Sequence, residues 1–183
     1  RLNLMPYYDE VISLGRSILS AFAFGLGKPK EFFVKAYEKP LGRGQLVYYP
    51  PMSTEDEKQE RFGAASHTDF GVLTILLQDT QGGLQVLNKS GDWIEAPPIE
   101  GSFVCNIGDL LERWTNGGII STKHRVINRN KTARYSIPVF CDPASETIVD
   151  PKDFSNGPIL YEKITAGEHI AYRNHRNFTQ YMK

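Results

Sequence analysis

Residues 65–78 read ASHTDFGVLTILLQ, and this stretch constrains the fold more than any other part of the chain. The run from Phe70 to Leu77 is rich in apolar and β-branched residues and too short for an ordinary helix, which predicts a buried strand. His67 and Asp69 are two positions apart, so an extended backbone places both side chains on one face. The sequence therefore predicts a pair of metal ligands held rigidly at the end of a buried strand.

The composition predicts one domain with a mainly β core. The chain has 183 residues, including 16 glycines and 11 prolines, which suits many short strands joined by tight turns. Short strands that do not alternate with long helices favour a sandwich, a barrel or a jelly roll, and we expect a jelly roll with flanking α-helices. We assign residues 1–183 to this single domain, with helical support at 1–38, the jelly-roll core at 45–160 and a C-terminal helix at 165–183.

Periodicity, capping patterns and turn residues predict the other elements. Apolar residues at helical spacing predict helices over 6–24 and 29–37, a short helix is expected over 110–114, and the capping-box spacing of Thr165 and Glu168 predicts the start of the C-terminal helix. Apolar and β-branched runs predict strands at 45–49, 84–87, 93–96, 102–107, 123–127 and 133–141. The mixed-charge stretch 53–60 predicts a solvated loop, and residues 128–131 predict a turn.

The charge balance excludes some classes of partner. The chain carries 21 basic and 21 acidic residues with no long block of either sign, so it lacks the electrostatic footprint of a protein that binds nucleic acid or an anionic membrane. A small-molecule substrate is favoured, and nothing in the sequence indicates the oligomeric state. No apolar run reaches membrane-spanning length and no leader pattern opens the chain, so we expect a cytoplasmic protein. The chain begins at Arg1, and we expect an N-terminal portion to be missing; Cys105 and Cys141, which lie in apolar runs, are expected to be buried free thiols.

A second histidine stands where it could complete a metal site. His124 follows Asp69 by 55 residues and begins the apolar strand at 124–127, so its imidazole could meet the first pair across a barrel. Two histidines and one carboxylate form the facial triad of non-haem Fe(II) oxygenases, which leaves open positions on the metal. The same residue types also suit zinc, and both histidines could instead be structural, with Asp69 in a turn or a cap. His169 and His175 are interpreted as exposed residues of the C-terminal segment.

An arginine and a serine add a possible anion site. Arg134 and Ser136 follow His124 by ten and twelve residues and fall on one face of the next predicted strand. The guanidinium fork binds a carboxylate through two parallel hydrogen bonds, and a serine hydroxyl can add a third. The metal triad thus gains an anchor for a dicarboxylate, which a zinc site gives no reason to expect.

Taken together, these motifs resemble the iron- and 2-oxoglutarate-dependent dioxygenase superfamily, specifically its isopenicillin N synthase-like branch. The resemblance covers nearly the whole chain and rests on YYP (48–50), HTDFG (67–71), LTILLQ (73–78), GLQV (83–86), NIGD (106–109), WTNG (114–117), STKHRV (121–126) and RYSIP (134–138). It implies a double-stranded β-helix in which Fe(II) is held by His67, Asp69 and His124. It also implies that 2-oxoglutarate binds Arg134 and Ser136, with Tyr49 as a further contact, and that Phe70 and Phe140 are candidate residues of the substrate pocket.

The implied activity is that of an oxidoreductase. Oxidative decarboxylation of 2-oxoglutarate by O2 would be coupled to hydroxylation, desaturation or cyclisation of a small organic substrate. A second interpretation within the same fold is an Fe(II)-dependent oxidase that does not use 2-oxoglutarate and takes its electrons from the substrate or from ascorbate. A third is a zinc-bound hydrolase or a non-catalytic module that binds a metal or a ligand.

Overall fold

A computed structural model describes residues 3–53, 55, 63–128 and 131–178 of the chain. Most of the predicted charged loop at 53–60, and positions 129–130 of the predicted turn, lie outside the described residues. The same holds for the predicted extension of the C-terminal helix over 179–183. Within the described residues, no helix is both long enough and apolar enough to cross a membrane.

The helices lie mainly at the two ends of the chain, as predicted. Helix α1 spans Leu4–Gly25 and buries a stripe of small and apolar residues at four-residue spacing: Val11, Gly15, Leu19 and Ala23. Helix α2 spans Glu31–Val34 and continues as one 3-10 turn over Lys35–Tyr37. Helix α3 spans Asp109–Trp114 in the middle of the chain, and α4 spans Ala166–Phe178. The capping box at the start of α4 is confirmed, since the Glu168 backbone donates to Thr165 Oγ1 and the Thr165 backbone donates to Glu168 Oε2.

The strands form two larger antiparallel sheets and one small pair. In chain order they are β1 (Arg43–Gly44), β2 (Val47–Tyr49), β3 (Ala64–His67), β4 (Leu73–Gln78), β5 (Leu84–Leu87), β6 (Trp93–Glu95), β7 (Val104–Ile107), β8 (His124–Val126), β9 (Arg134–Cys141), β10 (Ile148–Val149) and β11 (Ile164–Thr165). In the first sheet β4 pairs with β7 and β9, and β9 pairs in turn with β1 and β2. The second sheet has the order β3-β8-β5-β6, and β10 pairs with β11. The predicted mainly β fold is confirmed.

The two faces of strand β4 lie in different environments. Leu73 and Ile75 belong to the main core, which the helices form against one face of the first sheet. Thr74 and Leu76 alternate with them and lie on the opposite face, towards the second sheet. Leu76 joins Leu84 of β5 and Val126 of β8 in a second, much smaller cluster between the sheets. The space between the sheets is therefore incompletely filled by apolar side chains, and the functional cavity lies there.

The cysteine prediction is half right. Both thiols are free, and Cys141 is buried where the helices cover β9. Burial raises the pKa of the Cys141 thiol to about 12, so this group stays protonated. Cys105 is exposed, contrary to expectation, because β7 lies at an edge of its sheet in the described part of the chain.

Candidate active site

Two histidines form a cross-strand pair at one end of the second sheet. Strand β3 pairs with β8 so that His67 lies directly opposite His124, after a register shift between Ala64 and His67. The centroids of the two imidazole rings are 4.3 Å apart. Asp69 follows β3 by two residues, and its Oδ1 lies 3.7 Å from His124 Nε2. Each of the three residues offers one ligand atom, and these atoms lie within 4.8 Å of one another.

The hydrogen bonds of both rings fix the nitrogen that can bind a metal. His67 Nδ1 lies 2.7 Å from the carbonyl oxygen of Ala65, and His124 Nδ1 lies 3.1 Å from that of Thr122. A carbonyl oxygen can only accept, so Nδ1 is the donor in both rings and Nε2 carries the lone pair in each neutral ring. Metal-binding histidines in proteins commonly show this second hydrogen bond, which orients the ring.

Burial favours the protonation state that a metal ligand needs. The pKa of His124 is lowered by its burial and by the neighbouring His67, although Asp69 acts in the opposite direction. A neutral imidazole can donate its lone pair to a cation, whereas an imidazolium cannot. Asp69 Oδ2 is buried and has no hydrogen-bond partner among the described residues. A buried carboxylate oxygen without a partner is costly, and a divalent cation bound by the three residues would satisfy it.

Hydrogen bonds to its backbone hold the loop that carries Asp69 in place. The carbonyl of Asp69 accepts a 2.8 Å hydrogen bond from the Asp109 amide, and the carbonyl of Gly71 accepts one from Leu110. The buried carboxylate of Asp142 accepts from the Val72 amide at 3.0 Å. A Cβ on Gly71 would overlap Asp142 Oδ1, so a residue with a side chain does not fit there. The start of α3 and Asp142 thus fix the path of the chain after the ligand.

A cavity of about 260 Å³ lies between the two sheets and includes all three candidate ligands. This volume lies slightly below the roughly 300–1,000 Å³ of ordinary small-molecule sites. The remaining walls combine neutral polar side chains and apolar ones with a single arginine: Gln45, Val47, Tyr49, Gly63, Ala64, Thr74, Leu76, Leu84, Asn106, Val126, Arg134, Ser136, Pro138 and Phe140.

Arg134 is fully buried in the wall of this cavity. Its Nε donates to the Gly82 carbonyl at 2.7 Å and its Nη2 to Gln78 Oε1 at 3.1 Å. The guanidinium lies 4.8 Å from the centre of the Tyr49 ring, a cation–π distance. Nη1 is buried and has no hydrogen-bond partner within the described ranges. The geometry is that of a rigidly held cation with one nitrogen, Nη1, left for an anionic ligand, and the buried hydroxyl-bearing Ser136 lies two residues further along the same strand.

The structure brings most of the candidate residues together. His67, Asp69, His124, Arg134, Ser136, Tyr49 and Phe140 all line the cavity. Phe70 does not line it, because the chain leaves the extended conformation after His67 and strand alternation no longer applies. The Phe70 ring lies instead 4.8 Å from the Arg173 guanidinium of α4. The cavity also contains Gln45, Thr74 and Asn106, to which sequence reasoning assigned no role. Thr74 could have been found, since it is the polar residue that alternates with the apolar ones in β4.

His169 is buried, and the prediction that it is exposed is wrong. Its imidazole faces the core side of α4, where it hydrogen bonds to the backbone of Phe70. Burial lowers the pKa of His169 to about 4, with Arg113 and Arg173 acting in the same direction and Asp109 against them. Predicting this burial from sequence was difficult, because α4 is a polar helix. His175, further along the same helix, is exposed as expected.

The lowered pKa of His169 gives a pH-dependent stability. The unfolded chain takes up a proton near the ordinary pKa of 6.5, whereas the folded chain takes it up only near 4, so stability falls as the pH drops through this window. Urea unfolding of wild type and His169→Gln between pH 7 and pH 4 should show the wild type losing stability relative to the variant. His175→Gln is the matched control and should follow the wild type. A constant difference between wild type and His169→Gln would contradict the assignment.

Several known proteins are similar in sequence to this chain. The model of the 2OG-Fe(II) oxygenase superfamily matches residues 43–143. A probable iron/ascorbate oxidoreductase of Dictyostelium discoideum is 44% identical over 155 residues, which are 77% of this chain and 42% of that protein. A homoarginine-6-hydroxylase of Glycine max is 39% identical over 187 residues, covering 97% of this chain and 56% of the relative. The chain therefore spans about half the length of these curated relatives.

Solved structures have the same fold. A full-length Neurospora crassa protein, crystallised in complex with alpha-KG, which is 2-oxoglutarate, and thymine, superimposes with a TM-score of 0.87. The two chains are 32% identical, and the match covers 94% of this chain and 55% of the Neurospora protein. Together with the two-sheet architecture, this likeness confirms the predicted jelly roll. Because the family model also covers more than half of the sequence, this chain belongs to the 2OG-Fe(II) oxygenase superfamily.

Proposed function

We propose that this chain carries the active site of an oxidoreductase that couples oxidative decarboxylation of 2-oxoglutarate to oxidation of a small organic substrate. One observation supports this most strongly: two unpartnered buried atoms of opposite character line the same cavity. Asp69 Oδ2 lacks a positive partner and Arg134 Nη1 lacks a negative one among the described residues. A metal satisfies the first and a carboxylate satisfies the second. A keto acid that chelates the metal at one end and presents a second carboxylate at the other fits both.

The proposal divides the cavity residues into metal ligands and residues that bind the co-substrate. His67, Asp69 and His124 hold Fe(II), which when bound supplies the site for dioxygen activation. Arg134 and Ser136 bind the distal carboxylate of 2-oxoglutarate, and the Tyr49 ring stabilises the guanidinium through its cation–π contact. The hydrogen bonds of Arg134 to Gly82 and Gln78 fix its orientation before the co-substrate arrives. Preorganisation of this kind reduces the entropy lost on binding.

The remaining walls position the substrate and exclude water. Apolar side chains from both sheets line the cavity, and Phe140 and Pro138 lie on the strand that carries the anion site. We propose a small organic molecule as the substrate. One relative is named for homoarginine and one solved relative is bound to thymine, so similar proteins accept chemically different molecules. The outcome, whether hydroxylation, desaturation or ring closure, depends on where the substrate presents its C–H bonds.

The proposal is tested by an anaerobic titration that needs no knowledge of the substrate. Metal-free protein is titrated with Fe(II) and then with 2-oxoglutarate, and the visible metal-to-ligand charge-transfer band of the chelate is followed. We expect the band to appear only with both components and to be absent in His67→Ala. On admission of O2, succinate should form.

Each other result favours a different class of protein. Bound iron without the band favours an Fe(II)-dependent oxidase that takes its electrons from the substrate or from ascorbate. Tight binding of zinc, with no band in the presence of Fe(II), favours a hydrolase. Failure to bind any divalent metal favours a non-catalytic module that binds a ligand.

A further inference from the structure

The C-terminal helix contacts the loop that carries the metal ligand Asp69. Arg173 of α4 forms an ion pair with Asp109 through Nη1, and its Nη2 donates to Thr68 Oγ1 at 3.1 Å. The Thr68 hydroxyl in turn donates to Asp109 Oδ2 at 3.1 Å. The three side chains therefore form a closed triangle between α4, the start of α3 and the ligand loop. Residues 68 and 173 are 105 positions apart, so this is a tertiary contact.

The triangle is better shielded from solvent than an ordinary surface ion pair. The Arg173 side chain is 29% exposed and that of Asp109 is 14% exposed. Exposed pairs contribute little because water and salt screen them, whereas a partly buried pair with additional hydrogen bonds is screened less. The Arg173 guanidinium also lies 4.8 Å from the centre of the Phe70 ring. Its position is thus fixed by three different residues.

These contacts bracket Asp69 on both sides in the sequence. Arg173 contacts Thr68 before the ligand and Phe70 after it, and His169 hydrogen bonds to the Phe70 backbone. Asp109, the ion-pair partner, donates its backbone amide to the Asp69 carbonyl. Of the two Asp69 carboxylate oxygens, Oδ2 lacks a hydrogen-bond partner in the described part of the chain, and Oδ1 lies 3.7 Å from Nε2 of the other candidate ligand His124. The backbone of residues 68–70 therefore contributes to the direction of this carboxylate.

We propose that Arg173 is a positioning residue of the metal centre, which holds the Asp69 loop in its ligating conformation through Thr68 and Asp109. This inference rests on the proposed function, because it requires a metal at His67, Asp69 and His124. Docking of α4 and binding of the metal then stabilise one another. Such coupling is reciprocal: a change at α4 that lowers metal affinity implies that the metal strengthens the docking of α4 by the same factor.

The first test is metal affinity. Arg173→Met keeps a long side chain over Phe70 but removes the ion pair and the hydrogen bond. We expect Fe(II) and Co(II) to bind about tenfold more weakly, within the range typical of coupled sites. Arg173→Lys should restore part of the affinity, because it keeps the ion pair with Asp109. Arg176→Met is the matched control, since Arg176 lies one turn nearer the end of α4 and contacts Tyr172 on the exposed face.

The second test measures the coupling from the other end. Hydrogen exchange of the amides in α4 should slow when Co(II) is added to the wild type, and should not change when it is added to Asp69→Ala. Thr68→Val removes the hydroxyl from the triangle without shortening the side chain, and should weaken metal binding in the same direction as Arg173→Met. Circular dichroism of each variant establishes that it is folded, and Thr68→Val provides the affinity measurement if Arg173→Met does not fold.

The outcomes separate the two proposals. Equal metal affinity in wild type, Arg173→Met and Thr68→Val overturns the positioning role and leaves the proposed function intact. Exchange in α4 that does not respond to the metal also overturns it. A wild-type chain that binds neither Fe(II) nor Co(II) overturns the proposed function, and the positioning role with it.

Discussion

Asp69→Ala is expected to lower the affinity for Fe(II) by more than about 100-fold and to abolish formation of succinate. Loss of a residue that only hydrogen bonds to a metal ligand costs about 10–100-fold in metal affinity. Loss of the carboxylate ligand itself should cost more. Two neutral imidazoles would remain, with no negative charge to balance the cation. Anaerobic titration with Fe(II), followed by a succinate assay in air, measures both effects.

The same substitution should leave the metal-free fold intact. In the described structure Asp69 Oδ2 has no hydrogen-bond partner and Oδ1 lies 3.7 Å from His124 Nε2, so the substitution removes a buried charge whose contact with His124 is long. Urea unfolding in the presence of a chelator should therefore show no loss of stability. Asp92→Ala, in the exposed hairpin between β5 and β6, is the control for removal of a carboxylate. Iron affinity that survives in Asp69→Ala would remove Asp69 from the ligand set.

Arg134→Met is expected to weaken 2-oxoglutarate binding by about 100-fold or more while iron affinity changes little. Breaking a buried ion pair by removing one partner costs about 3–5 kcal/mol. At about 1.4 kcal/mol for each factor of ten, this corresponds to at least about 100-fold. Methionine fills most of the volume but offers no donor to the distal carboxylate. The charge-transfer band at increasing 2-oxoglutarate gives the affinity directly.

Arg134→Met also removes two internal hydrogen bonds, so its effect on folding must be measured. The Gly82 carbonyl and Gln78 Oε1 lose their donor; a buried group left unsatisfied costs about 1–3 kcal/mol, and these two are half-buried, so each should cost less. Arg134→Lys keeps the charge but not the fork, and should lie between the wild type and Arg134→Met. Arg125→Met is the matched control. Arg125 alternates in β8 with His124 and Val126, which line the cavity, so its side chain lies on the opposite face of the strand, over the Trp93 ring. Unchanged co-substrate affinity in Arg134→Met would rule out the anchor.

The parts of the fold predicted correctly are those in which local pattern and tertiary environment agree. Strand β4 was predictable because its apolar run is buried by the helices on one face and by the second sheet on the other. The proximity of the two histidines was predictable because His67 and His124 were both placed at strand ends, whereas Asp69 lies in the loop two residues beyond β3 and not on the extended backbone that was expected to carry it. Arg134 and Ser136 were predictable as a pair from the two-residue period of a strand.

The remaining features depend on contacts that periodicity does not encode. Helix α4 reads as a polar, solvated helix, yet it buries His169 and places Arg173 against the ligand loop. Phe70 follows two candidate ligands in sequence, but the backbone turns there and directs its ring towards α4. Asp109 comes directly before the helix predicted over 110–114, and in the structure it also contacts Thr68 and Arg173. In each case the tertiary contact is made by a polar side chain of α3 or α4.

The strand register that places His67 opposite His124 has a consequence for the stability of the protein and its resistance to proteolysis. These residues are 57 positions apart in the chain, so an ion bound by both would cross-link the neighbouring strands β3 and β8. In the described structure, that sheet and the first sheet share a small apolar cluster. A ligand present at about 100 times its dissociation constant adds about 2.7 kcal/mol to stability. On the proposed function, iron supply thus sets how long the folded chain resists proteolysis, and not only how fast it works.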